Sequence, residues 1–321
     1  MSVQDVPRPA SIPLQPAAAG FWQRASAIVL DSLILGLIGI AIGFAIFDWA
    51  ARHENAAKLV GFAIAFFYFG ILNSRLGGGR TLGKRLLGIR VVDQSGNGLS
   101  PTRSALRFLV IGIPYFLPTD PGAGLSDWQD FLLSTIANLV VVGGLCSAVY
   151  LLIFNTPSRQ ALHDLLARSY VLRNSSVAPP VRATTRRVHL IVVGALLLIG
   201  AATPSAILWG ADKFGILPVI KSSYELQTAL QKELGNSSFV VSTRISGISA
   251  LQVDMPIMSK NADITALQAT LAASVLKLQP NLLGMQVLAV QVHRGFDLGI
   301  ARWQTTYRED HSAYDWQRKL K

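Results

Sequence analysis

The chain has 321 residues, 51% of them hydrophobic and only 15% charged, with a formal net charge of +11. That is too apolar and too thinly charged for an ordinary soluble protein of this length. Two stretches, 75–107 and 155–187, carry +6 and +5, a placement that marks loops beside membrane spans. It excludes a nucleic-acid surface, because no basic stripe is interleaved with exposed aromatics in a recognisable module.

Residues 1–19 are rich in Pro and Ala and read as a disordered tail. The Ala17-Ala-Ala-Gly20 cluster precedes the first apolar run, which argues against a cleaved signal peptide. Apolar runs follow at 25–47, 57–73, 131–154 and 188–209; about 20 residues cross the hydrocarbon core. A fifth run, 104–118, is short and contains Pro114. If it crosses, both basic loops face the cytoplasm and the loop 118–130, with Asp120, Asp127, Asp130 and no Lys or Arg, faces out. The expectation is five crossings, N-terminus inside and C-terminus outside; a re-entrant or lying-down 104–118 is the alternative. Trp22, Trp49, Trp128 and Trp209 fall at span ends, where aromatic belts sit.

Asp31 lies seven residues inside the first run. An ionisable group at a span centre costs roughly 2.5–3.5 kcal/mol on insertion scales, so it faces the bundle interior and has a partner. Arg24 shares its helix face, about 10 Å away along the axis, and Asp164 follows the 131–154 run on the same side of the membrane. Two readings stand. Arg24, Asp31 and Asp164 converge on one cytoplasm-facing polar cavity, or Arg24 pairs with Asp164 while Asp31 is satisfied by backbone or Asn. Asn73 and Asn138, in or beside spans, serve as supporting groups or as hydrogen-bonding glue between helices. His163 could orient Asp164, or cap or face solvent.

Gly78-Gly-Arg-Thr-Leu-Gly83-Lys84 has phosphate-loop spacing, but Arg85 replaces the Mg²⁺-binding Ser/Thr and a span precedes it where a strand should. The loop reads instead as a headgroup-level element whose Arg80, Lys84, Arg85 and Arg90 attract anionic lipid. The five histidines lack metal-ligand spacing, Cys146 is the single cysteine, and no nucleophile elbow is present. No metal, cofactor or enzymatic activity is expected.

From residue 210 the pattern changes. Ser222-Ser-Tyr-Glu225 opens a helix that stops at Gly235. Strand-like runs 238–246 and 248–255 follow, then a helix capped by Asn261 and running to about 278. Runs 284–293 and 299–308 then flank Arg294-Gly-Phe-Asp-Leu298. The order predicts a small α+β domain at 212–321 with two helices on one sheet face. Trp303, Tyr307, Tyr314 and Trp316 could line a binding surface, with sheet-face packing the plainer reading of Trp303 and Tyr307.

Three blocks give residues 20–172 a resemblance to the RDD family of bacterial membrane proteins. They are Gly20-Phe-Trp-Gln-Arg24 through Asp31, then Gly79-Arg-Thr-Leu-Gly-Lys-Arg-Leu-Leu-Gly-Ile-Arg-Val-Val-Asp93 with Gly96 and Arg107, then Gln160-Ala-Leu-His-Asp164-Leu-Leu-Ala-Arg-Ser-Tyr-Val171. Arg168-Ser169 departs from the small residues expected there. With the hydropathy pattern, this gives a membrane all-α bundle (20–173), a basic cytoplasmic linker (174–187), a further span (188–209) and the C-terminal α+β domain. The resemblance implies a bacterial inner-membrane protein with a transport role, cation/proton antiport being suggested for some members. Asp31 and Asp164 would then bind a small cation or proton, and Arg24 would tune them. The rival is an envelope protein whose spans anchor a ligand- or protein-binding domain. Partners expected are anionic lipid and either a second copy or an envelope protein.

Overall fold

The computed structural model describes residues 18–116, 128–155, 158–174, 186–235, 240–246, 248–257 and 262–321. Helices α1 (Phe21–Ala45) and α3 (Glu54–Leu72) are joined by the short α2 (Phe47–Arg52). Then come α4 (Leu82–Leu86), β1 (Ile89–Asp93) and α5 (Pro101–Phe116). A helix interrupted by a π-helical turn at Leu139–Gly143 forms α6 (Trp128–Asn138) and α7 (Gly144–Phe154). After it follow α8 (Leu162–Leu166), β2 (Ser169–Arg173) and α9 (Arg187–Lys213). Four helices are long and apolar enough to cross a membrane: Phe21–Ala45, Glu54–Leu72, Phe131–Phe154 and Arg187–Lys213. They match the four long runs, and Leu37, Phe67, Leu133 and Leu198 stand exposed on them, as lipid-facing positions should.

Helix α5, the proposed fifth crossing, is shorter and lies along α3. Phe108 stacks on Phe69 near one end, and Phe116 meets Phe62 edge-on near the other. The two helices are therefore antiparallel. Asp120 and Asp127 of the expected acidic loop lie outside the described residues, as do residues 175–185 of the linker. Ala18 and Ala19, expected in the tail, belong to the fold: Ala18 bridges Leu172, and the Ala19 N–H donates to the Val171 carbonyl at 2.8 Å.

The membrane part contains an internal repeat. Asn73 and Asn155 end α3 and α7. Thr81 and Ala161 then start α4 and α8, and Lys84 and Asp164 hold the third position of each. Gly88 and Arg168 turn the chain with positive φ, 63° and 46°, and the strands follow. β1 pairs antiparallel with β2 so that Val91 faces Val171. All these pairs except the asparagines stand at one constant sequence offset, so a local two-fold passes through the Val91–Val171 pair. Between α6 and α7 the π-turn admits α9, where a side chain on Gly200 would meet the Gly143 nitrogen at 2.6 Å and the Asn138 carbonyl at 2.8 Å.

The C-terminal domain runs α10 (Leu217–Leu234), β3 (Val240–Ser246), β4 (Ile248–Pro256), α11 (Ile264–Leu278), β5 (Val287–Asp297), β6 (Arg302–His311) and α12 (Ala313–Lys319). The sheet order is β3-β4-β5-β6, with only β4 and β5 parallel, joined through α11. Inward residues recur at period two, Leu251 and Val253 on β4 and Leu288, Val290 and Val292 on β5. They pack against Leu226 and Leu230 of α10 and Leu271 and Val275 of α11. This is the expected α+β arrangement, with corrections. Helix α10 begins before Ser222, with Pro218 in its first turn. Asn261 lies outside the described residues, and Asp263 caps α11, accepting from the Ala266 N–H at 3.1 Å. Trp316, a candidate surface aromatic, is fully buried and its indole N–H donates to the Leu288 carbonyl.

The largest correction concerns Arg294–Asp297, expected in a loop. These residues continue β5 and pair with β6 out to Asp297–Arg302, although the pairing with β4 ends at Pro256–His293. The hairpin therefore projects beyond the sheet and wedges between α1 and α3. Phe296 and Leu298 are buried there. A methyl on Gly43 would strike the Phe296 ring at 2.1 Å, and one on Gly61 would strike the Leu298 carbonyl at 1.7 Å; only glycine admits such close approach. Tyr115 donates to the Gly299 carbonyl at 3.1 Å, and Phe44, Phe47 and Trp303 surround Phe296.

Candidate functional site

Two carboxylates organise the end of the bundle where α4 and α8 lie. Asp31 is fully buried. It accepts from the Tyr68 hydroxyl at 2.7 Å, the Thr81 hydroxyl at 2.6 Å and the Gly83 N–H at 2.8 Å. Gly83 must stay bare, because a side chain there would meet the Ala27 carbonyl at 2.4 Å. All three donors are neutral, so α1 is fastened to α3 and α4 through hydrogen bonds to a charge, each worth about 1.5–3 kcal/mol net.

Asp164 is fastened differently. Arg24 Nη1 lies 2.8 Å from Oδ2, and Arg107 reaches Oδ1 through both Nε and Nη2 at 2.8 Å. The Ser169 hydroxyl (3.1 Å) and the Ala161 N–H (3.3 Å) complete the set. Burial alone would raise the Asp164 pKa, but Arg107 above all, with Arg24, holds it well below the ordinary carboxylate range. Arg103 adds a backbone clasp, donating to the Ala167 and Arg168 carbonyls and fixing α5 to the turn after α8.

Lys84, expected at the lipid surface, is buried between the two carboxylates. Its ammonium donates to the Asn73 side chain at 2.9 Å and to the Thr81 hydroxyl at 3.4 Å. Burial, reinforced by Arg107, pushes its pKa down to about 7. Of the other expected headgroup contacts, Arg85 is exposed while Arg80 and Arg90 are half-buried. His163 Nε2 stands 3.6 Å from Asp164, too far for the orienting hydrogen bond. Burial, against the pull of Asp164, pushes the imidazole down to about 3, so it is neutral near pH 7. Asn138 is elsewhere: its amide donates to the Ser134 carbonyl at 2.9 Å, within its own helix beside the π-turn.

A cavity of about 250 Å³ opens among α1, α3, α5 and Leu152 of α7. Arg24, Lys84, Arg107, His163 and Asn73 line one end, and neither Asp31 nor Asp164 lines it. From there the walls are apolar: Ile28 and Leu35 on one helix face of α1, Phe108, Ile111 and Phe116 on one face of α5. The far end is Ile300, from the hairpin tip. The site is thus a basic head on an apolar slot, suited to holding an anionic group.

The sequence-level trio divides accordingly. Arg24 and Asp164 meet, and Asp31 anchors a neighbouring cluster with no ion pair in contact among the described residues, though its charge acts on the buried Lys84. Arg107, Tyr68, Thr81 and Ser169 were not singled out as site residues. Arg107 carried a signal, one helical turn after Arg103 in an apolar helix, so that both face the same way.

Residues 18–168 match the RDD family. The chain is 27% identical over 153 residues, 48% of its length, to the uncharacterized protein YckC of Bacillus subtilis (strain 168), covering 83% of that protein. The matched region, just under half of the chain, holds Arg24, Asp31, Lys84, Arg107 and Asp164 together with most of the repeat that positions them, and it is similar to the RDD family of membrane proteins.

Proposed function

We propose that the chain is a transport-type protein whose solute site is the cavity among α1, α3 and α5. One observation carries this reading: the cavity that begins at Arg24, Lys84 and Arg107 ends against Ile300, a residue of the C-terminal domain. The basic connections around α4 and α8 favour a cytoplasmic charged end, which puts the C-terminal domain on the opposite side with its hairpin as outer stopper. A domain merely displayed by its anchor needs no such wedge, so the docking supports coupling over the envelope-anchor reading.

Ion or proton handling by Asp31 and Asp164, the finer expectation from the family resemblance, draws less support. A carboxylate that loads a cation must exchange its partners for the ion. Asp31 keeps three donors and Asp164 two guanidiniums, and neither borders the cavity. Both act here as anchors for the helices and cations around the site.

Thiol labelling tests the arrangement. In a Cys146→Ser background, Ile111→Cys should react with an impermeant maleimide in everted vesicles and not in right-side-out ones. Replacing Leu298–Ala301 with a two-residue Asn-Gly turn should admit reagent from the outer face. Outer-face labelling with the hairpin intact, or labelling from neither face, would overturn the reading.

A further inference from the structure

We infer that the cavity binds a single-tailed anionic amphiphile, its acidic head among Arg24, Lys84 and His163 and its tail along α5 toward the hairpin. The inference deepens the proposed site and rests on it. Three observations support it.

The first is unspent donor capacity. Arg24 is buried and gives Nη1 to Asp164, while among the described residues its Nε and Nη2 have no partner, and neither has His163 Nδ1, which donates in one of the two neutral tautomers. Buried donors left empty each carry a desolvation cost that an anionic oxygen would relieve. The second is the sign of the lining: Arg24, Lys84 and Arg107 border the cavity with no carboxylate among the lining residues, and the carboxylates set back from it, Asp164 and Asp31, are one fewer than the cations. The third is shape. From Arg107 to Phe116 the lining follows α5 for about 14 Å, past Ile111 and Gly112. A small inorganic anion would fill the head and leave this apolar length to water, which such walls hold poorly. A neutral lipid would leave the cations without a counter-charge.

The probe is radiolabelled decanoate on the full chain in zwitterionic nanodiscs, competed with decanol, decyltrimethylammonium, decyl phosphate and inorganic phosphate. Decanoate should bind saturably, decyl phosphate should compete, and decanol and the cationic amphiphile should not. The decanoate-to-decyl-phosphate ratio distinguishes a carboxylate from a phosphate headgroup. Arg24→Gln should weaken binding at least about tenfold, the loss of one charge-assisted contact. Because Arg24 also holds Asp164, Ile111→Trp gives an independent arm: it fills the tail slot, leaves the ion pairs alone, and should abolish decanoate binding at unchanged unfolding temperature. Equal binding of inorganic phosphate, competition by the cationic amphiphile, or full decanoate affinity in Ile111→Trp would each overturn the inference. Absence of saturable decanoate binding would do so too, while one-sided labelling of Ile111→Cys would still uphold the solute site itself.

Discussion

Lys84 and Asp164 hold the same position in the two copies of the repeat, each third in a short helix that a turn and a strand follow. The backbone treats them alike and their surroundings do not. Asp164 has two guanidiniums and a hydroxyl; Lys84 has an amide oxygen, a hydroxyl and the face of Phe69, and no carboxylate in contact among the described residues. Burying a charge is tolerable when hydrogen bonds and an opposite charge replace water. One copy meets that condition fully and the other in part. The shortfall is an excess of positive charge, and it falls where the cavity begins.

Asp164→Asn should have the largest effect, because it leaves Arg24 and Arg107 buried without a counter-charge. Breaking a buried pair by removing one partner costs about 3–5 kcal/mol. The expected outcome is a large drop in unfolding temperature in detergent and in membrane yield. A shift no greater than that of a surface variant would mean that water already solvates the arginines. Asp31→Asn can keep the Tyr68 hydroxyl and the Gly83 N–H on one oxygen, where both donate, but sets its NH2 against the Thr81 hydroxyl, which must turn to accept. Lys84 loses the pull of the Asp31 charge but keeps both of its hydrogen bonds, so the loss should be smaller, about 1–3 kcal/mol. If the two Asn variants were equally damaging, the contrast between charged and neutral partners would fail.

The sequence made some of this legible and hid the rest for identifiable reasons. Hydropathy located the four long helices because lipid imposes length and apolarity, and Asp31 stood out against that background. The C-terminal element order followed from period-two and helical patterns. The Arg24–Asp164 pair was one of two open readings, since spacing along one helix says nothing about a partner far along the chain. Lys84 misled because charge count places a lysine beside Arg85 and Arg90 at the surface, whereas the Thr81 cap turns it inward. The hairpin was missed because Arg294 and Asp297 look like loop residues. What makes them strand is the receptor groove of Gly39, Gly43 and Gly61 on two distant helices.

The two charges should also differ in their response to pH. Lys84 sits at about 7 in the fold against about 10.4 in an unfolded chain. The unfolded state therefore binds more protons between those values, and stability rises with pH across that window. The burden is complete below pH 7. In the difference between the natural chain and Lys84→Met, the slope should approach about 1.4 kcal/mol per pH unit at most and flatten above pH 10. Asp164, held low, should contribute no slope in this window. A difference curve that is flat from pH 7 to 10 would place water or a counter-ion beside the ammonium.

The smallest effects should come from the turns, with opposite signs in the two copies. Gly88 and Arg168 both adopt left-handed φ, a conformation that costs an L side chain about 1–2 kcal/mol. A side chain at Gly88 meets nothing closer than the Asn174 amide at 3.9 Å, so Gly88→Ala isolates the backbone term and should destabilise by about 1 kcal/mol. Arg168 already bears that strain, its side chain is exposed, and its carbonyl bond to Arg103 survives substitution. Arg168→Gly relieves the strain but adds freedom to the unfolded chain, which takes back about 0.4–1 kcal/mol. The net should be a gain of up to about 1 kcal/mol, read as a higher unfolding temperature. Loss of stability in both variants would mean that the Arg168 side chain holds a contact the turn depends on, and that the two copies differ in more than charge.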